Sequence, residues 1–454
     1  MNEKQFDVIV IGSGAGAKIS SFAAQRGMRV ALIEDGPLGG TCLNRGCIPS
    51  KIYVHTADIA RAIRQAGIFN LQASFDGTDF AGLVKRVTGY TDSHAQKMES
   101  GTKRNPNITL YQGHAEFVGK KTLQIHGEHI TAEKILIAVG ARPFIPSIDG
   151  LAGTPYLTST EALRLRTLPR ELVVIGGGYI GVELGGFFSA LGTRVTVVQA
   201  SDRLIDREDE DVARVFTDVF SRSQTVLLKH TATKVEYTAG QFTVTVQGPT
   251  GKREIGADQL LVATGVTPNA DTTTVRAGDI DIDERGFIKV NEYLETSVPG
   301  VFAIGDVIGG HMFRHSANWQ ARYAIQNMFT DQHIAVDMAV MPHAVFSHPQ
   351  VAGVGATETE LRQSGRPYTV GRADYSSTAM GEAYQERDGF VKVLADEKKQ
   401  LILGCHIIGP EASTLIHEVV VAMRAGGSVA AITDSVHIHP AMSEVVQRAF
   451  VKLV

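Results

Sequence analysis

At 454 residues the chain is longer than one hydrophobic core usually organises, so roughly two to four domains are expected, with room to bury a large cofactor. A content of 43% hydrophobic and 20% charged residues excludes both a disordered and a membrane-embedded chain. The net charge of -4, without a run of like charges, argues against nucleic acid or an anionic membrane as partner and leaves small molecules as the expected ligands.

The N-terminus carries charge between Met1 and Asp7, and the apolar run before Gly12 is too short for the core of a signal peptide. Three cysteines are too few for a secreted disulfide framework, so a reducing, cytoplasmic setting is expected. From Phe6 the sequence reads strand, glycine turn, helix, strand. Gly12, Gly14 and Ala17 have the G-x-G-x-x-(G/A) spacing that lets a backbone approach a pyrophosphate at a helix N-terminus. Glu34 follows Gly12 by 22 positions, at a strand end where a carboxylate accepts from ribose hydroxyls. A tight turn in any α/β protein would explain the glycines alone. Strand, helix and acid in this order point to dinucleotide binding.

Next comes GGTCLNRGCIPSK, residues 39 to 51, with Cys42 and Cys47 as C-x4-C. A regular helix would set their Cα atoms about 7.5 Å apart, beyond the reach of a disulfide. If they bond, the turn between them must be distorted, which Gly46 permits, and Pro49 suits the start of a helix through Lys51 and Tyr53. A dithiol at a helix N-terminus has the low pKa that exchange chemistry needs. Zinc would need further ligands, and only His55 lies nearby, so no metal is expected.

The run KILIAVGARP, with Gly140, and the later QLLVATGVTPNAD, with Gly265, read as strands leaving a nucleotide-binding domain. Between them ELVVIGGGYIGVELGG repeats the glycine pattern with Gly176, Gly178 and Gly181. Its apolar stretch is broken by Glu183 and by glycines, which suits strand, turn and helix better than a membrane span. At the strand end, 23 positions after Gly176, stands Gln199 rather than an acid. Gln can hydrogen-bond a ribose but does not repel a 2'-phosphate, so NAD is expected, with Arg203 and Arg207 keeping NADP open. GVFAIGDV places Asp306 at the C-terminal edge of a strand, either as acceptor for a polyol hydroxyl or as a helix N-cap. From Met341 alternating strands and a helix near Thr414 describe an α+β tail. Cys405, in an apolar strand there, reads as core packing. His439 precedes Pro440 at an expected helix start, where Glu444 can turn back and orient the imidazole as a base; His437 has no such claim.

With these motifs in this order, the whole chain resembles the flavoprotein disulfide reductases, the class I pyridine nucleotide-disulfide oxidoreductases. GGGYIGVELGG, LGCHIIGPEAS and HIHPAMSEVVQRAF are most similar to its dihydrolipoamide dehydrogenase branch, whereas HSANWQAR at residues 315 to 322 looks closer to its mycothione reductases. The C-terminus AFVKLV lacks the cysteine pair of the mercuric and large thioredoxin reductases. The resemblance implies an α/β fold with two Rossmann-like domains and a C-terminal α+β dimerisation domain. Residues 1–150 and 277–340 would bind FAD, 151–276 would bind NAD(P), and 341–454 would form a homodimer. It further implies that Cys42 exchanges with the substrate and Cys47 faces the flavin. Lys51 would pair with Glu183 near the flavin, Tyr179 would cover the nicotinamide pocket, and His439 would reach the partner's cysteines. The expected reaction is oxidation of a dihydrolipoyl group on a carrier protein with NAD+. NADPH-driven reduction of a small disulfide such as mycothiol or glutathione disulfide is an alternative. A catalytically silent FAD-binding subunit is a further one, opposed by intact Cys42, Cys47, His439 and Glu444.

Overall fold

The structure, a computed structural model, describes residues Glu3 to Leu453 and divides into two compact units. One comprises the residues up to Ser50 with Gly82–Phe144 and Gly265–Asp337; the other comprises Lys51–Ala81, Ile145–Thr264 and the residues from Met338.

In the first unit the strands Ile108–Gln112, Val30–Glu34, Glu3–Ile11 and Glu128–Ile137 lie side by side in that order, all parallel, and Val301–Ala303 pairs with the C-terminal half of the last. Parallel strands are covered on both faces, which is why they read as continuous apolar runs. Ile9 and Ile11 join one buried cluster with Ala31 and Ile33, while Val8 and Val10 join another with Val30 and Leu32. A hairpin, Glu116–Gly119 with Thr122–Ile125, continues the sheet antiparallel along the N-terminal half of Glu128–Ile137.

The second unit repeats the order. Thr225–Leu228, Arg194–Gln199, Glu171–Ile175 and Gln259–Val262 form a four-stranded parallel sheet, and a three-stranded antiparallel meander over residues 231–257 is inserted before its last strand. The stretch weighed as a membrane span is the strand Glu171–Ile175 and the helix Tyr179–Ala190. Among the described residues no helix is long and apolar enough to cross a membrane. The same unit contains a five-stranded antiparallel sheet, ordered His343–Val345, Val351–Gly355, Ile402–Ile408, Phe390–Asp396 and Tyr368–Asp374. The helices Ala412–Arg424 and Glu444–Val451 bury Leu415, Val419, Val445 and Phe450 against it, with Cys405 fully buried in the same core. The last helix begins at Glu444, not at Pro440 as the sequence suggests. Between Pro440 and Glu444 the chain is tied by the Glu444 carboxylate, which accepts from Ala441 N at 3.2 Å.

Candidate active site

The strand Glu3–Ile11 ends in a turn at Gly12, whose φ is +97°, and a Cβ there would stand 2.3 Å from the Ala138 carbonyl oxygen. Only glycine fits. The helix begins at Gly16, where a Cβ would approach Val10 Cγ1 to 2.8 Å, so Gly16 allows the close helix-to-strand packing and Ala17 follows it on the helix. Glu34, buried at its strand end, accepts from Ser13 N at 2.8 Å and Ser13 Oγ at 2.6 Å through one oxygen, and from Gly36 N at 3.2 Å through the other. Burial pushes its carboxyl up, against the hydrogen bonds from Ser13. Ser13 Oγ in turn accepts from Gly39 N at 2.8 Å. Gly40 sits so near that a Cβ on it would lie 2.9 Å from Gly14 Cα. The glycine turn thus fixes the start of the cysteine segment.

In that segment the helix Gly40–Arg45 carries Cys42 and ends at Gly46, with φ -149° and ψ -117°; a new helix, Cys47–Gln65, starts at Cys47. The helical ladder is interrupted between the two cysteines, as a bonded pair requires. A Cβ on Gly46 would come within 3.0 Å of the Thr41 carbonyl oxygen. Pro49 falls in the first turn, where its missing N–H is no loss, two residues later in the helix than the sequence suggests. Asn44 Nδ2 donates to Pro37, Leu38 and Gly40 carbonyls, each at 3.0 Å, and ties the first helix down. Cys42 is half-buried and Cys47 exposed.

Gly140 and Gly265 lie beside short crossing strands, Ala141–Pro143 and Val266–Pro268: Phe144 N donates to the Gly265 carbonyl at 2.9 Å and Asn269 N to the Gly140 carbonyl at 3.0 Å. Asp306 is the second residue of a short 3-10 turn, Gly305–Ile308, capped by Ile304, so it is not an N-cap. Its carboxyl is pushed up by burial, opposed by the Arg314 charge, and the described residues give it no hydrogen bond. A partly buried carboxyl without a protein donor suits a ligand hydroxyl. Together with the Gly12 turn and Glu34 this fits the adenosine and polyol parts of FAD.

The second glycine turn has the same build. Gly176, with φ +108°, faces the Ala263 carbonyl oxygen at 2.3 Å from an added Cβ; Gly178 caps the helix Tyr179–Ala190; a Cβ on Gly181 would stand 2.0 Å from the Gly176 carbonyl oxygen. Gln199 Oε1 accepts from Gly177 N at 2.8 Å, as Glu34 does from Ser13 N, and Gln199 Nε2 donates to Ser201 Oγ at 2.6 Å. The Tyr179 hydroxyl donates to Glu208, which also holds His343.

In the same unit Lys51 Nζ is 2.6 Å from Glu183 Oε2 and 4.6 Å from the Phe346 ring centre, and Phe346 N donates to Glu183 Oε1 at 2.9 Å. Both carboxylate oxygens are used, which satisfies a nearly buried charge. His439 Nδ1 lies 2.9 Å from Glu444 Oε1, and Ala441 N donates to Glu444 Oε2 at 3.2 Å. The two contacts hold the Glu444 carboxyl below its usual range. His439 is 72% exposed, its Glu444 partner 12%. His437 also has a carboxylate, Glu418 at 3.0 Å, which the sequence did not reveal. Ser13, Phe346, Glu208, His343 and Glu418 all escaped the sequence reading: Ser13 lies inside the glycine motif and Glu418 only 19 positions from His437, but Phe346 and Glu183 are 163 positions apart and His343 and Glu208 135.

Two dinucleotide folds in one chain, one of them leading into a split helix with a cysteine on each side of the break, define a nicotinamide-linked oxidoreductase of thiols and disulfides. Residues 6–321 match the pyridine nucleotide-disulphide oxidoreductase model and residues 341–450 the dimerisation domain of the same family. The chain belongs to that family. Mycothione reductase of Mycobacterium tuberculosis is 35% identical, with 99% of both chains covered, and dihydrolipoyl dehydrogenase of Cupriavidus necator is 35% identical, with 98% of this chain and 97% of the relative covered. The HOCl-induced flavoprotein disulfide reductase RclA from Escherichia coli, solved as a Cu(II) complex, superposes with a TM-score of 0.89 at 29% identity, covering 99% of each chain. The protein is therefore an enzyme of the FAD-dependent disulfide oxidoreductases, with NAD(P)H as its nucleotide, and its dimerisation domain supports a homodimer.

Proposed function

We propose that the enzyme oxidises dihydrolipoyl groups on a carrier protein with NAD+, with FAD in the first glycine-turn unit and the nucleotide at the second. The observation that carries this reading is the His439–Glu444 pair. Nδ1 is held by the carboxylate, so Nε2 is the nitrogen that takes up a proton. A substrate thiolate attacks Cys42 and breaks its bond to Cys47, leaving Cys47 as thiolate and the substrate joined to Cys42. His439 of the second copy takes the proton from the other substrate thiol. That thiolate displaces Cys42, closing the substrate disulfide and leaving both cysteines reduced. Bound FAD supplies the two-electron couple between this dithiol and NAD+. Lys51, fixed by Glu183, places a cation one turn into the helix that starts at Cys47, and Gly12, Gly14, Glu34 and Asp306 hold the cofactor.

NADPH-driven reduction of a small disulfide, such as that of mycothiol, is the second reading. It is favoured by the mycothione reductase relative and by Arg207, an exposed guanidinium without a hydrogen bond or ion pair among the described residues. Stopped-flow reduction with NADH and NADPH separately, followed by turnover with dihydrolipoamide or mycothiol disulfide, decides between them. Fast NADH reduction with dihydrolipoamide turnover supports the first; NADPH preference with disulfide turnover replaces it by the second.

A further inference from the structure

Glu208 belongs to no recognised motif, yet its side chain is fully buried just ahead of the helix Glu210–Phe220. Its oxygens are divided between two partners: one accepts from the Tyr179 hydroxyl, the other lies 2.9 Å from His343 Nε2. Burial by itself would raise this carboxyl, but the hydrogen bond and charge of His343, with the Tyr179 hydroxyl, bring it below its usual range. The Tyr179 hydroxyl is pushed up by burial and by the charge of Glu208, so it remains a donor. A hydrogen bond to a buried carboxylate is stronger than one between neutral groups. Asp206 and Arg207 also bear on Tyr179, with opposite signs, and His406 on Glu208.

His343 comes from the C-terminal sheet, where it is paired with Gly353 on the neighbouring strand. A Cβ on Gly353 would stand 2.7 Å from His343 Cε1 and 3.1 Å from His406 Nδ1. The sheet therefore leaves out a side chain where the imidazole sits. The Tyr179 and His343 rings are nearly parallel, at 15° with centres 6.5 Å apart. A ring that must move for its ligand meets resistance from whatever holds its far end.

We propose that Glu208 and His343 are positioning residues that latch Tyr179 by its hydroxyl, so that the C-terminal sheet sets how readily the nicotinamide end of the nucleotide enters. The proposal rests on the reading above that places Tyr179 over the nicotinamide pocket. Opening requires the Tyr179 hydroxyl to leave Glu208, and a lost latch lowers that cost. The Kd for NADH and for NADPH is measured by titration of the FAD-loaded enzyme, with KM, kcat and the rate of cysteine-pair reduction by dihydrolipoamide. Tyr179→Phe, which removes the bond, should tighten binding of the nucleotide used by about fivefold to tenfold, and Glu208→Gln, which keeps an oxygen acceptor but loses its charge, should tighten it less. KM should fall with it, and the dihydrolipoamide step in Glu208→Gln should be unchanged. The double variant should bind no tighter than Tyr179→Phe, because Glu208→Gln weakens the same hydrogen bond that Tyr179→Phe removes. An unchanged Kd in either single variant, or additive effects, overturns the latch. Tyr179→Phe leaves Glu208 and His343 in place and decides the matter if Glu208→Gln does not fold. Tyr179→Ala separates the two readings. If it leaves both Kd values unchanged, Tyr179 is not at the nicotinamide and the site reading fails; if it alone changes them, only the latch is lost.

Discussion

The two glycine turns are built on the same strand order and the same backbone geometry, yet they hold different things. In the first, the middle residue is Ser13, and its hydroxyl links Glu34 to Gly39 at the head of the cysteine segment. In the second, the middle residue is Gly177, where a Cβ would meet Leu204 Cδ2 at 2.4 Å, and its carbonyl accepts from Ile205 N at 2.9 Å. The loop docked there leads to Glu208 and so to Tyr179. One side chain at the centre of a turn thus selects which loop lies against it, and the loop brings the chemistry.

The largest effect should come from the loop of the first turn. Cys42→Ser should lower dithiol turnover at least about a thousandfold while leaving Cys47 a thiolate, seen as long-wavelength absorbance beside oxidised FAD without any reductant. If Cys47→Ser shows the band instead, the roles are reversed. His439→Ala should cost about a hundredfold or more as a lost general base. Equal amounts of these two variants, unfolded and refolded together, should recover about a quarter of wild-type activity if each site takes its base from the other copy. No recovery would place both residues of a site in one chain.

The turns themselves come next. Gly12→Ala and Gly176→Ala each force a methyl onto a carbonyl oxygen 2.3 Å away at positive φ. The first should yield colourless protein. The second should remain yellow and be reduced by dihydrolipoamide but not by nucleotide. Loss of colour in both would mean that the turns do not act separately. Ser13→Ala removes the hydroxyl shared by Glu34 and Gly39, at a cost of about 1–3 kcal/mol in denaturant unfolding, and should slow the cysteine chemistry without changing nucleotide Kd. A stability equal to wild type would show the link to be idle.

The smallest effect tests the strand ends. Gln199→Glu keeps the acceptor for Gly177 N and adds a charge, so NADPH use should fall roughly tenfold through repulsion of the 2'-phosphate while NADH use is nearly unchanged. Equal losses with both nucleotides would place Gln199 away from the ribose.

Much of this was legible along the chain because it depends on neighbours in sequence. Apolar runs ending at Gly12 and Gly176 prescribe strand and turn, since no other residue takes that φ against a carbonyl. A C-x4-C spacing with Gly46 inside it prescribes a broken helix if the two cysteines are to bond, because an unbroken one holds their Cα atoms too far apart. The His-Pro-x-x-x-Glu spacing prescribes a base and its carboxylate, although not where the helix starts. That start moves to Glu444 because its own carboxylate bonds back to Ala441 N and His439, holding the preceding segment outside the helix. Only the tertiary structure decided the partners that come from afar. Glu183 receives Phe346, 163 positions on, and Glu208 receives His343, 135 positions on. A buried carboxylate must find donors wherever the packing presents them, and no local pattern records which strand that will be.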